Sequence, residues 1–165
     1  MHHTRPLALA LAALVLGLAA SAGAQGVESR HLWATINVCD TIKHPDTIGI
    51  RASMPGAPDA KERMFMRFRV QYFRPSDELW HNISQGGNSG FIDVGPARFK
   101  ARQAGRLFVF KPPAGASFQL RGKVTFQWRR KGKVVRSAAL ATSAGHRSTA
   151  GSDPEGYSSD TCVIS

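Results

Sequence analysis

The sequence has little cysteine, only one long apolar run and no convincing amphipathic helix, and each scarcity excludes a class of protein. Its two cysteines, Cys39 and Cys162, lie in no CxxC or recognisable nucleophile setting, which argues against a catalytic thiol. No apolar stretch after residue 20 is long enough to span a membrane. No GxSxG elbow and no nucleic-acid module motif occurs, so neither that type of hydrolase nor sequence-specific nucleic-acid binding is indicated.

Acidic residues are missing from a large part of the chain. None occurs between Gly95 and Ser152, although the whole chain carries a formal net charge of +11. The same stretch contains a long series of basic residues: Arg98, Lys100, Arg102, Arg106, Lys111, Arg121, Lys123, Arg129, Arg130, Lys131, Lys133, Arg136 and Arg147. We therefore expect one part of the surface to be distinctly positive.

The first residues have the order of a secretory signal peptide. A short basic start that includes Arg5 precedes an apolar run over residues 7–20, and small residues end at Ala24. The run has 14 residues, whereas a membrane-spanning helix takes about 20, so cleavage is favoured over an uncleaved anchor. We predict a signal peptide over residues 1–24 and one extracytoplasmic domain over residues 25–165, with no transmembrane segment in the mature chain.

The two cysteines are predicted to pair. An even cysteine count in an exported chain favours a disulfide, and only the bridge from Cys39 to Cys162 is possible. Closing a loop of about 100 residues removes about 4.7 kcal/mol of denatured-state freedom in the chain-entropy model. Such a bridge would tether the Gly-, Ser- and Pro-rich tail that follows Ser143. The alternative is a pair of free thiols.

Strand patterns dominate the remaining sequence, because apolar residues recur at every second position between Gly, Pro and Asn clusters. The predicted strands are 32–39, 47–54, 64–73, 79–83, 90–94, 106–111, 118–129 and 134–143, of which 106–111 is too uniformly apolar to show an inward face. About seven short antiparallel strands in a chain of this length favour an all-β immunoglobulin-like or fibronectin-like sandwich over a barrel. Trp80 is either a core anchor or a contact residue, and in a sandwich the core position is the more common.

The chain resembles secreted bacterial immunoglobulin-like β-sandwich proteins. The resemblance rests on the leader, the cysteines near both ends, and the Phe126-Gln127-Trp128 strand that leads into a Lys131-Gly132-Lys133 turn. It covers the mature chain and implies the fold, but it implies no functional residues. The cysteines lie too near the ends to be the usual inter-sheet pair of antibody domains.

A basic sheet face is the main functional hypothesis. In an immunoglobulin-like order, segments 64–73 and 118–129 are neighbours in one sheet, and their polar faces point the same way. The predicted ligand-binding residues are Arg67, Arg69, Arg121, Lys123 and Arg129. Like charges on neighbouring strands repel, and an anionic polymer or envelope component would offset that repulsion. The alternative is a solvated face that only discourages aggregation.

Aromatic residues do not visibly alternate with these charges, which counts against stacking of single-stranded nucleic acid.

The chain offers several candidate metal ligands: His31, His44, His81, Met54, Met64 and Met66. The spacing of these residues does not fit a blue-copper centre, and Met64 and Met66 alternate with core positions. We therefore predict no metal and no cofactor.

His44 is a candidate catalytic residue, because Asp46 and Asp40 lie close to it in sequence and a carboxylate could orient the imidazole. The simpler interpretation of His44-Pro45-Asp46 is a turn between two strands.

The sequence therefore predicts a secreted, non-enzymatic binding or structural domain that attaches to an anionic ligand. A protein-interaction module, in which the charge serves only solubility, is the alternative. A weaker alternative is a small hydrolase or metal carrier. A pocket that contains His44 and a carboxylate would favour this alternative.

Overall fold

The computed structural model describes residues 30–146 and 150–165, so the predicted signal peptide, residues 1–24, lies outside the described residues. The described part of the chain contains β-strands and no α-helix. The strands are β1 (Trp33–Cys39), β2 (Thr47–Pro55), β3 (Arg63–Arg74), β4 (Leu79–Asn82), β5 (Asn88–Pro96), β6 (Ala101–Val109), β7 (Phe118–Arg130), β8 (Lys133–Ala141) and β9 (Thr161–Ile164).

These strands form two antiparallel sheets. The three-stranded sheet has the order β1-β2-β6. The six-stranded sheet has the order β4-β3-β7-β8, and in addition β5 pairs with β3 and β9 pairs with β7. The predicted all-β sandwich is confirmed, but nine strands are present in the described residues rather than about seven. Over the same ranges, no helix is long and apolar enough to cross a membrane.

Alternation along β3 and β7 builds one side of the core. Met64, Met66, Phe68 and Val70 of β3 are fully buried, and so are four residues of β7: Leu120, Val124, Phe126 and Trp128. Each such side chain contributes about 1.5–3 kcal/mol relative to exposure. The expected core position of the methionines is confirmed. The apolar residues of β1 and β2 form the opposite side, and the core runs between the sheets.

Two elements differ from the prediction. Strand β6 begins at Ala101 and pairs with β2 throughout, whereas the sequence indicated 106–111. Its first half, which includes Gln103 and Gly105, has too few apolar residues to show a period of two. Strand β9 was missed because it is only four residues long and follows a segment rich in turn residues. Its pairing with β7 places Cys162 and Ile164 in the core.

The Cys39–Cys162 disulfide is confirmed and joins the two sheets. Cys39 ends β1 of the three-stranded sheet, and Cys162 lies in β9 of the six-stranded sheet, with a Cα–Cα distance of 5.5 Å. The bridge links the first strand of the described residues to the last, which differs from the usual inter-sheet pair of antibody domains. The two cysteines meet because the tail returns to the first strand. Ser159 and Ile36 exchange two backbone hydrogen bonds, of 2.9 and 3.0 Å.

We expect the double substitution Cys39→Ala/Cys162→Ala to lower the free energy of unfolding by about 2–5 kcal/mol, because the bridge closes a loop over most of the domain. Urea unfolding of the variant and of the oxidised protein measures the difference. Hydrogen exchange should show the largest loss of protection at the β9 amides. An unchanged free energy of unfolding would mean that the tail contacts hold β9 without the bridge.

Candidate functional site

The five basic residues predicted from the sequence lie on one face of the six-stranded sheet. Strands β3 and β7 pair over ten residues, from Arg63 opposite Arg129 to Tyr72 opposite Leu120. Since the intervening residues of both strands are buried in the core, the basic residues point to the outer side. We call this set, Arg67, Arg69, Arg121, Lys123 and Arg129, the basic face. Its two strands are adjacent, as the hypothesis required.

No carboxylate of the described residues forms an ion pair with the basic face, although Asp93 at its edge interacts electrostatically with Arg129. Five ion pairs occur in the ranges 30–146 and 150–165, and none involves a residue of the basic face. Side-chain amides act as the acceptors instead. The Nε atom of Arg67 donates to Asn88 Oδ1 at 2.9 Å, and that of Arg121 donates to Gln71 Oε1 at 2.9 Å. These amides orient the guanidinium groups while leaving their charge uncompensated.

Two cations of the basic face stand directly opposite each other. Arg69 of β3 pairs with Lys123 of β7. The Nε atom of Arg69 is buried and has no hydrogen-bond acceptor in the described part of the chain. A buried donor without an acceptor and a like-charged cross-strand pair are both unfavourable for folding. The centre of the basic face is therefore the place where its positive charge is least balanced.

Asp93 is a carboxylate on the same sheet, and Arg63 binds it with a distance of 2.7 Å. Burial opposes ionisation of Asp93, but the hydrogen bonds from Arg63 and the Gly95 N–H, together with the charges of Arg63 and Arg129, keep its pKa below its ordinary value. Asp93 is therefore ionised at neutral pH and engaged by Arg63 at the edge of the basic face.

Aromatic rings support three of the arginines, Arg67, Arg121 and Arg129, which corrects the expectation that aromatic residues do not alternate with the charges. The guanidinium carbon of Arg129 lies 4.2 Å from the ring centroid of Phe65 and 4.6 Å from that of Phe91. That of Arg121 lies 4.4 Å from the Trp80 ring. Cation–π contacts of this kind stabilise a guanidinium group while its N–H edges remain available.

Trp80 is not a core residue, contrary to the sequence interpretation. It stands on β4 opposite Phe73, half-buried, with the two ring centroids 5.4 Å apart. Burial beneath such neighbours lowers the pKa of Arg121, which still remains a cation at neutral pH. The sequence offered one usable signal for the aromatic contacts, because Phe65 occupies an outward position of β3 between Arg63 and Arg67.

Among the described residues, His44 does not share its cleft with a carboxylate. His44 lines a cleft on the three-stranded sheet, and the residues that line this cleft include no Asp or Glu. Asp40 accepts a hydrogen bond from the Asp46 backbone at 2.8 Å, which is the turn geometry expected there. Within the described ranges, no group of three His, Cys, Asp or Glu side chains could hold a metal ion.

One histidine–carboxylate contact escaped the sequence analysis. His81 Nε2 lies 2.9 Å from Asp77 Oδ2, and the two residues flank the β3–β4 turn. Arg74 binds the same carboxylate and, with the Leu79 N–H and His81, lowers the pKa of Asp77 against a partial desolvation penalty. The Asp77 carboxylate therefore binds two side chains and a backbone N–H, and these contacts stabilise the turn between β3 and β4.

Comparison with known proteins gives little further information. No protein-family model matches the chain. No curated protein matches it either. Among solved structures, it is similar to part of a glycosyl hydrolase family 2 member from Bacteroides cellulosilyticus, with a TM-score of 0.35 and 10% sequence identity. The match covers 72% of this chain but only 15% of that protein.

We expect Lys123→Glu to stabilise the isolated protein by about 0.2–1 kcal/mol, because it replaces a repulsive cross-strand pair with an attractive one. The matched control is Lys123→Gln, which removes the repulsion without adding attraction and should give a smaller gain. Urea unfolding at low and high salt measures both, and the gain should shrink as salt screens the charges. Destabilisation by Lys123→Glu at low salt would show that the Arg69–Lys123 repulsion is not significant.

Proposed function

We propose that this chain is a secreted, non-enzymatic binding domain whose basic face attaches it to an anionic polymer outside the cytoplasm. The observation that carries the proposal is the set of five adjacent cations that have no carboxylate partner in residues 30–146 and 150–165. The disulfide is compatible with an oxidising, extracytoplasmic compartment. Envelope polymers and acidic glycans of such compartments carry the required negative charge.

The spacing of the charges supports a polymer rather than a single ion. Arg67 and Arg69 are two residues apart on β3, and so are Arg121 and Lys123 on β7, which corresponds to about 7 Å along each strand. Neighbouring strands lie about 4.8 Å apart. One compact anion cannot reach all five cations, whereas a chain with repeated anionic groups can contact several at once.

The residue type supports oxyanions as the anionic groups. Four of the five residues of the basic face are arginines. A guanidinium group donates two parallel hydrogen bonds to a carboxylate, phosphate or sulfate, which a lysine cannot do. Since one ring face of Phe65, Phe91 and Trp80 is already covered by an arginine, these rings are poorly placed to stack nucleic-acid bases on that side.

The proposal is tested by binding to heparin, poly(glycerol phosphate) and single-stranded DNA at low and at physiological salt. Arg121→Glu/Lys123→Glu should weaken binding at least about tenfold and reduce the slope of log K against log salt by about two. The matched control is Lys43→Glu/Lys111→Glu, which makes the same change in net charge at exposed positions outside the basic face. This control should retain the affinity of the unchanged protein.

Selective binding that persists at physiological salt and is lost only in the basic-face variant supports the proposal. Equal loss in both variants, or binding of every polymer that disappears with salt, contradicts it. The positive charge would then be a general surface property that aids solubility. The search for a function would move to protein partners.

Arg129→Lys gives a second prediction, because it keeps the charge but removes the planar group that lies between Phe65 and Phe91. We expect it to weaken polymer binding several-fold, as does loss of a bidentate contact. Arg130→Lys is the control, since Arg130 is exposed and pairs with Asp59. Calorimetric titration with heparin measures both. Equal affinities of the two variants would show that charge alone, rather than guanidinium geometry, determines binding.

A further inference from the structure

A cleft of about 580 Å³ opens on the outer side of the three-stranded sheet. Its walls come from β2, β6, the β1–β2 loop and the returning tail. Asn37 fixes the tail, because its Nδ2 atom donates to the carbonyl oxygen of Gly151 at 3.0 Å and the Asp153 N–H donates to the Asn37 carbonyl at 2.9 Å. The volume lies within the range of pockets that bind small molecules.

Two glycines allow neighbouring side chains to pack closely at the cleft: Gly105 lines it, and Gly49 lies beneath Val38 and Leu107, which line it. A Cβ atom at Gly49 would lie 2.8 Å from Val38 Cβ and 2.9 Å from Leu107 Cδ2. A Cβ atom at Gly105 would lie 3.2 Å from Cδ of Arg51, which is the cross-strand partner of Gly105. The Arg51 side chain therefore lies close over the glycine position. A side chain at either position would displace Val38, Leu107 or Arg51, which are lining residues of the cleft.

The charged groups of the cleft have one sign. The titratable residues that line it are His44, Arg51 and Arg106, and no Asp or Glu is among the lining residues. The Nε atom of Arg51 is buried and has no hydrogen-bond acceptor in the described residues. A buried charged donor without an acceptor is unfavourable and calls for an explanation, and a bound water or ion is one that this cleft has room for. Leu107 and Val38 supply an apolar surface beside it.

We propose that this cleft binds a small organic anion, with an oxyanion head group at Arg51 and an apolar body against Leu107. The head group is a carboxylate or a phosphate, since a guanidinium group recognises both. The site is separate from the basic face, because the two lie on different sheets. It requires neither the polymer nor any residue of the basic face.

Isotope-labelled protein titrated with acetate, hexanoate and inorganic phosphate tests the proposal. Saturable shifts of the Arg51 Nε–Hε signal and of the Gly105 and Gly151 amides are expected with at least one probe. Tighter binding of hexanoate than of acetate identifies a carboxylate with an apolar body. Binding of phosphate alone identifies a phosphate head group. No saturable shift with any of the three probes would overturn the proposal.

Two variants locate the site. Arg51→Lys keeps the charge but removes Nε, and Leu107→Glu places a carboxylate at an exposed position of an edge strand, where folding should be preserved. Each should weaken probe binding by about tenfold or more, Arg51→Lys because it removes a charge-assisted hydrogen bond and Leu107→Glu because it repels the anion and removes apolar contact. Thermal unfolding checks that both variants fold. Unchanged probe affinity in both variants would contradict the assignment.

A reciprocal control separates this proposal from polymer binding. Arg67→Gln on the basic face should leave probe binding in the cleft unchanged. Leu107→Glu should in turn leave heparin binding unchanged. If probe binding fails while heparin binding persists, only the cleft assignment is wrong. If heparin binding fails while the probes still shift the Arg51 signal, the cleft assignment stands on its own.

Discussion

The antiparallel pairing of β3 with β7 determines both the core of this protein and its basic face. Ten residue pairs join the two strands, and in each strand every second side chain points into the core. A slip of one residue would carry every side chain to the opposite side of the sheet. It would bury Arg67 and Arg69 and expose Met66 and Phe68. The hydrophobic core therefore holds the cations together on the outer side, although they repel one another.

That repulsion is accommodated locally rather than neutralised. Amide oxygens of Gln71 and Asn88 accept hydrogen bonds from arginines, and the rings of Phe65 and Trp80 support the guanidinium planes. Both kinds of contact fix the direction of a cation while preserving its charge. The Arg69–Lys123 pair has no such support. An arrangement of this kind is consistent with a face that meets an anionic ligand, which is the function we propose.

The two sheets present different outer surfaces. The six-stranded sheet exposes a broad charged face, whereas the tail returns across the three-stranded sheet and walls a cleft there. Thr35 and Asn37 are polar residues of β1 that are buried because the tail covers them. Thr35 Oγ1 lies 2.7 Å from Ser158 Oγ. The disulfide and these hydrogen bonds hold the tail in the position that the cleft requires.

The sequence alone determined the properties that depend on local alternation and on composition. A period of two identified most strands and the outward direction of the five basic residues, and two cysteines allowed only one bridge. Tertiary structure decided which strands are neighbours, because a period of two does not specify the adjacent strand. Phe91 and Trp80 meet the arginines because β5 and β4 lie beside β3. Likewise, Asn37 meets Gly151 only after the chain has folded back over more than a hundred residues. Such long-range contacts have no local signature in the sequence.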